Sequence, residues 1–135
     1  MIGARLGFAL VLALVLASFA AEAAEPDPAL KAFLTKFAIM AERGAVDAMV
    51  KVTRFPLKNR VYQEPDRINA TGFERHFKLN RFDELASCLK ATPPRRAEGR
   101  DSDLGAWEVD CDGNIFYFAH EGGGWRFTGF ENANE

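Results

Sequence analysis

The chain has 135 residues and a formal net charge of −2, enough for one ordinary domain and too little for two. Apolar residues make up 48% and aromatics 12%, which excludes a disordered chain; eleven Gly and six Pro in no repeating period exclude a collagen-like one. Two cysteines are too few for a disulfide-dense mini-protein or a four-cysteine zinc site.

Arg5 is the only charge before Glu22, and an uncharged, mostly apolar stretch separates them. Small residues then crowd together from Ala17 to Ala24. A basic end, an apolar run and a small-residue site are the order of a secretory signal. Two cuts fit, one with Ser18 and Ala20 in the small positions and one with Ala21 and Ala23. We take the second, which makes residues 1–23 the signal and 24–135 a single mature domain. The alternative is an uncleaved anchor helix, for which the run is somewhat short of the about 20 residues a span needs. The expected location is periplasmic or secreted, with no membrane contact after cleavage.

Asp27 and Pro28 suit an N-cap and a first helical residue. Leu30, Phe33, Leu34, Phe37, Met40 and Ala41 follow with helical spacing, and Gly44 stops the helix. A short second helix, 45–52, carries Val46, Met49 and Val50, and Pro56 bars its continuation. Leu57 to Gln63 reads as a strand with Leu57 and Val61 on one face, and Glu64-Pro65-Asp66 as a turn. Thr71-Gly72-Phe73-Glu74 has the form of a capping box opening a third helix, with Phe73 and Phe77 on one side. Phe82 to Leu89 is a further apolar segment, helical or mixed, ended by Thr92-Pro93-Pro94. Residues 95–105 are polar and read as a loop or an irregular edge strand.

The last thirty residues alternate clearly. Trp107, Val109 and Cys111 interleave with Glu108, Asp110 and Asp112, and Asp112-Gly113-Asn114 marks a turn. Ile115–His120 and Trp125–Phe130 complete a three-stranded meander. Pairing Glu121 with Gly124 makes Gly122-Gly123 a two-residue loop. It places Phe118 opposite Phe127 and Phe116 opposite Gly129. Trp107, Val109, Cys111, Phe116, Phe118, His120, Trp125 and Phe127 then share one face, which the phenylalanine-rich helices can cover. The other face carries Tyr117, Arg126, Thr128 and Phe130 among others, and is expected to be half exposed.

Cys88 and Cys111 form an even pair in a chain expected to be exported, so they are expected to join. The bond would close a loop of roughly 24 residues, worth about 3.4 kcal/mol in the chain-entropy account. Charge is uneven: residues 51–96 hold eleven Lys/Arg against five Asp/Glu, and residues 97–135 hold two against nine. The two halves are expected to neutralise each other across one fold. Nucleic acid is not an expected partner, because the chain is exported and its basic residues form no tight run.

The order helix, short helix, Arg54-Phe55-Pro56-Leu57, strand, Thr71-Gly72-Phe73-Glu74 before Phe77, then a terminal meander resembles small exported bacterial members of the nuclear-transport-factor-two-like superfamily. The resemblance spans nearly the whole mature chain. It implies an α+β cone, with N-terminal helices packed on a curved antiparallel sheet. It transfers no enzymatic constellation onto this sequence, and the fold alone licenses no function.

There is no metal-ligand spacing around His76 or His120, and neither a metal nor another cofactor is expected. Gly122-Gly123-Gly124 precedes a strand and lacks a following Lys-Ser/Thr, so it is a hairpin turn and not a phosphate loop. Asp110 and Asp112 lie within reach of Arg126 on one face, more in keeping with a solvated sheet than with acid–base work. The expected function is non-catalytic binding of an unidentified protein, inhibitor- or immunity-type roles included, or homodimerisation through the sheet. Tyr117, Arg126 and Phe130 are the candidate contacts on the sheet. The alternative is a small-molecule pocket, catalytic or not, at the cone mouth with Tyr62, His76 or His120. A filled interior favours the first and an enclosed cavity the second.

Overall fold

A computed structural model describes Gly3 and residues 25–134. The export-signal reading of residues 1–23 lies, apart from Gly3, outside the described residues. Four helices, α1 (Pro28–Glu42), α2 (Val46–Lys51), α3 (Phe73–Leu79) and α4 (Phe82–Ala91), pack on one six-stranded sheet. The strands are β1 (Thr53–Arg60), β2 (Arg67–Ile68), β3 (Arg95–Arg96), β4 (Trp107–Cys111), β5 (Asn114–Glu121) and β6 (Gly124–Asn132), in the order β2-β1-β6-β5-β4-β3. The fold is α+β, as expected. The sheet is mixed and not wholly antiparallel, because β1 runs parallel to β6.

α1 forms as its sequence dictates. The Asp27 carboxylate accepts from the Ala29 amide at 2.8 Å, Pro28 opens the first turn, and Leu30, Leu34, Phe37, Ala38 and Ala41 are buried along one stripe. Gly44 follows at φ +62°, the left-handed conformation that ends the helix. The 71–74 capping box does not form. Asn69 takes the capping role by accepting from the Gly72 amide at 2.9 Å, and the Thr71 hydroxyl turns to the Asn69 side chain. Glu74 pairs forward with Lys78 at 3.0 Å, one helical turn on, and does not reach back.

The first strand begins and ends earlier than its pattern suggests. Pro56 lies within β1, where the Phe55–Pro56 peptide is cis, and the register with β6 shifts between Thr53 and Lys58. Residues 95–105 contribute the two-residue edge strand β3 and a 3-10 turn at Gly99–Asp103.

The terminal hairpin has the expected turn: Glu121 pairs with Gly124, and Gly122 and Gly123 sit at φ +59° and +83°. Phe118 faces Phe127 as expected. A bulge follows, so that Tyr117 pairs with Gly129 and Phe116 with Phe130, leaving Thr128 as the extra residue. The expected Phe116–Gly129 pairing is thereby corrected. The extra residue reverses the alternation and turns Phe130 onto the helix-facing side.

That side is filled with rings. Phe37 of α1 lies 5.4 Å from Phe118 and 5.1 Å from Phe127, edge to face. Phe82 of α4 lies 4.9 Å from both Phe116 and Phe130. All six rings are fully buried. Cys88 on α4 is bonded to Cys111 on β4, with Cα atoms 5.8 Å apart, as their pairing predicts.

The opposite side is covered by the chain itself. Residues 97–105 cross it, and Leu104 with Ala97 packs on Ile115 and Tyr117 in a second, smaller apolar cluster. Thr128 donates its hydroxyl to the Leu104 carbonyl at 2.6 Å, Lys58 donates to the Asp103 carbonyl at 2.7 Å, and Arg60 pairs with Asp101 at 2.8 Å. The crossing is close enough to require glycine: a Cβ on Gly129 would lie 2.7 Å from the Leu104 carbonyl oxygen, and one on Gly105 2.4 Å from the Thr128 hydroxyl.

Candidate functional site

Two candidate sheet contacts are not available on the surface. Phe130 is a core residue, and Tyr117 is fully buried beneath residues 97–105. The phenol of Tyr117 donates to Glu131 at 2.8 Å, and burial followed by that bond pushes its pKa well above the usual value. Exposed aromatic contacts at 117 and 130 are therefore corrected. The cause is the bulge for Phe130 and the crossing segment for Tyr117. Arg126 is half-buried and donates to the Trp125 carbonyl at 3.1 Å. The guanidinium that meets the strand carboxylates is instead Arg95, which pairs with Glu108 and lies 3.6 Å from Asp110. Hydrogen bonding to Glu108 raises the Arg95 pKa further. His120 does stand beside Trp125, ring centroids 5.4 Å apart, but at an exposed strand end and not within a pocket.

The best-formed hollows among the described residues open at the surface, and none is lined by the sheet phenylalanines. One of them, about 780 Å³, lies beside β3 and is lined by charged side chains, of which Arg95, Glu108 and Asp101 are paired and Arg96 lies over the Trp107 ring. Among the described residues, no group of three or more His, Cys, Asp or Glu side chains converges to hold a metal, and no helix is long and apolar enough to cross a membrane.

Tyr62 differs from the other candidates. It is 73% exposed, the most exposed large hydrophobic side chain in the described chain. It stands on the turn between β1 and β2, and that turn is fastened from inside. Gln63 holds a left-handed φ of +62°, and the Glu64 amide donates to the Val61 carbonyl at 3.1 Å. The Asn59 side-chain amide donates to Glu64 Oε2 at 2.9 Å and to the Pro65 carbonyl at 3.0 Å. The Asn59 backbone amide donates to the Asp66 carbonyl at 2.8 Å.

The Glu64 carboxylate is the hub. His76 Nδ1 lies 3.0 Å from Glu64 Oε2, and the Asn80 amide reaches Glu64 Oε1 at 3.2 Å while donating to the His76 carbonyl at 3.0 Å. His76 is 2% exposed, with its ring 5.3 Å from Phe82 and 5.4 Å from Phe130. Burial lowers its pKa below 6.5, against a smaller upward pull from Glu64. His76 Nε2 and Asn59 Oδ1 are buried with no hydrogen-bond partner. Of the three pocket candidates, then, the structure gathers Tyr62 and His76 around one loop and leaves His120 elsewhere. Asn59, Glu64 and Asn80 were not expected here. His76 on α3 and Asn80, the residue that ends it, stand four apart, a one-face spacing that sequence reading could have set beside the Glu64-Pro65 turn.

No protein-family model matches the chain, and no curated protein and no solved structure matches it.

Proposed function

We propose that this is an exported, non-catalytic binding protein that engages another protein through the Tyr62 loop, and that it belongs to the nuclear-transport-factor-two-like superfamily. The observation that carries the reading is the contrast between inside and outside. The space a cone would offer a small molecule is occupied by Phe37, Phe82, Phe116, Phe118, Phe127 and Phe130. One large aromatic side chain is instead presented on a turn braced by buried polar contacts. A convex, pre-ordered loop tipped by tyrosine loses little conformational entropy on association and supplies a side-chain type enriched among interface hot spots. Its shape suits a concave cleft on the partner, which agrees with an inhibitor- or immunity-type role. Export is supported by the basic, apolar, small-residue order of residues 1–23 and by the Cys88–Cys111 bond. Helices packed on one face of a mixed sheet support the superfamily assignment.

The test is site-specific photo-cross-linking in the cells that express the chain. A photoreactive residue at position 62 is expected to give one discrete protein adduct, and the same group at Ser102 none. Adducts at neither position, together with a small molecule that raises the unfolding temperature, would overturn the proposal.

A further inference from the structure

We propose that Glu64 and His76 form an acid-sensitive latch on the Tyr62 loop, closed at neutral pH and released as the surroundings acidify. The proposal concerns the loop's own equilibrium and stands whether or not a partner binds there. The Glu64 carboxylate ties residues 61–67 to His76 on α3 and to Asn80 just after it, and also meets Asn59. Of those three groups only His76 changes charge between pH 5 and 8.

The groups facing the ring are few. Its own helix offers Phe73 and the residue that ends it, Asn80, α4 offers Phe82, and β6 offers Phe130. β1 offers Asn59 through its bond to Glu64. The one charged group acting on the ring is Glu64. A carboxylate on Nδ1 assigns the proton of the neutral ring to that nitrogen. Nε2 is then a bare lone pair with no partner, enclosed by aromatic carbon. A second proton on the closed ring would have to sit at Nε2, where no acceptor meets it. Lifting residues 61–67 removes Glu64 from Nδ1 and admits water, and the ring regains its ordinary proton affinity.

The sign follows from the burial. The closed form holds the ring at a pKa below 6.5 and the open form near 6.5. Between those values the open form binds more protons, so falling pH favours opening. Above 6.5 the two forms are equally unprotonated and the latch is insensitive to pH.

Hydrogen exchange on the purified chain tests this, comparing peptides covering residues 59–69 with peptides from β5 after correction for intrinsic exchange rates. Protection of the loop relative to β5 is expected to fall by about tenfold from pH 7.5 to pH 5. That window lies above the range of ordinary carboxyl groups, near 4. His76→Gln keeps an amide donor for Glu64 but cannot titrate, and its loop protection should not vary over the window. Unchanged relative protection in the wild-type chain, or the same fall in His76→Gln, would overturn the latch. Should His76→Gln fail to fold, the ring of His76 can be titrated by NMR in the wild-type chain. Protonation below pH 6.5 in step with loss of loop protection supports the latch. An ordinary or raised titration, or one that leaves the loop protected, contradicts it.

Discussion

Phe130 and Tyr62 show how a side chain's surroundings, and not its type, set its role. Both are aromatic residues near the ends of strands, yet Phe130 is fully buried against Phe82 and Phe116 while Tyr62 is 73% exposed. Phe130→Ala removes a ring from a close-packed cluster and should cost about 3–5 kcal/mol, read as a lowered urea midpoint. Tyr62→Ala removes nothing from the core and should cost far less, about 1 kcal/mol or below. The side that Phe130 occupies was not legible in simple alternation. One extra residue, Thr128, inverts the pattern after Phe127, and its only trace in the sequence is Gly129 within an otherwise regular strand. The burial of Tyr117 was equally hidden, since it depends on where a polar, pattern-free segment lies in space.

Elements with strong local signals were readable: α1 with its Asp27 cap and apolar stripe, and the hairpin closed by Gly122-Gly123. The capping box failed because Asn69, two residues earlier, caps a 3-10 turn at Ala70–Gly72 and takes the Thr71 hydroxyl on its own side chain. The edge strand β2 escaped because two residues carry no period, β3 lies within the stretch read as a loop or irregular edge strand, and the strand read over 57–63 is β1 displaced toward the N-terminus, its pairing with β6 being parallel and non-local. The crossing of residues 97–105 over the sheet rests on the glycines at 105 and 129. Gly105→Ala places a methyl group within 2.4 Å of the Thr128 hydroxyl and 2.9 Å of the Phe118 backbone nitrogen. It should destabilise by about 1–3 kcal/mol, with near-ultraviolet dichroism or NMR reporting the disturbance around Tyr117. The disulfide acts between elements, holding α4 to β4. Replacing both cysteines by serine should lower unfolding free energy by about 3 kcal/mol while retaining the far-ultraviolet spectrum of the fold.

Across the whole molecule, the charge asymmetry of the sequence becomes an internal fastening. Arg54–Glu121, Arg60–Asp101 and Arg95 with Glu108 and Asp110 each join the basic stretch to the acidic one. These pairs are partly exposed, Glu108 alone being buried, so each contributes modestly by itself. Their combined effect is to fasten Asp101 of the crossing segment, strand β4 and Glu121 of the β5–β6 hairpin to the basic stretch. The interior is filled and the sheet's far side is covered, and on the proposed function the Tyr62 loop is the surface that meets the partner. The most direct measurement is calorimetric affinity for the protein cross-linked at position 62, compared between wild-type chain and Tyr62→Ala. The variant is expected to bind weaker by about 1–3 kcal/mol while remaining folded. Equal affinity in an equally stable variant would contradict the assignment of this loop as the binding surface.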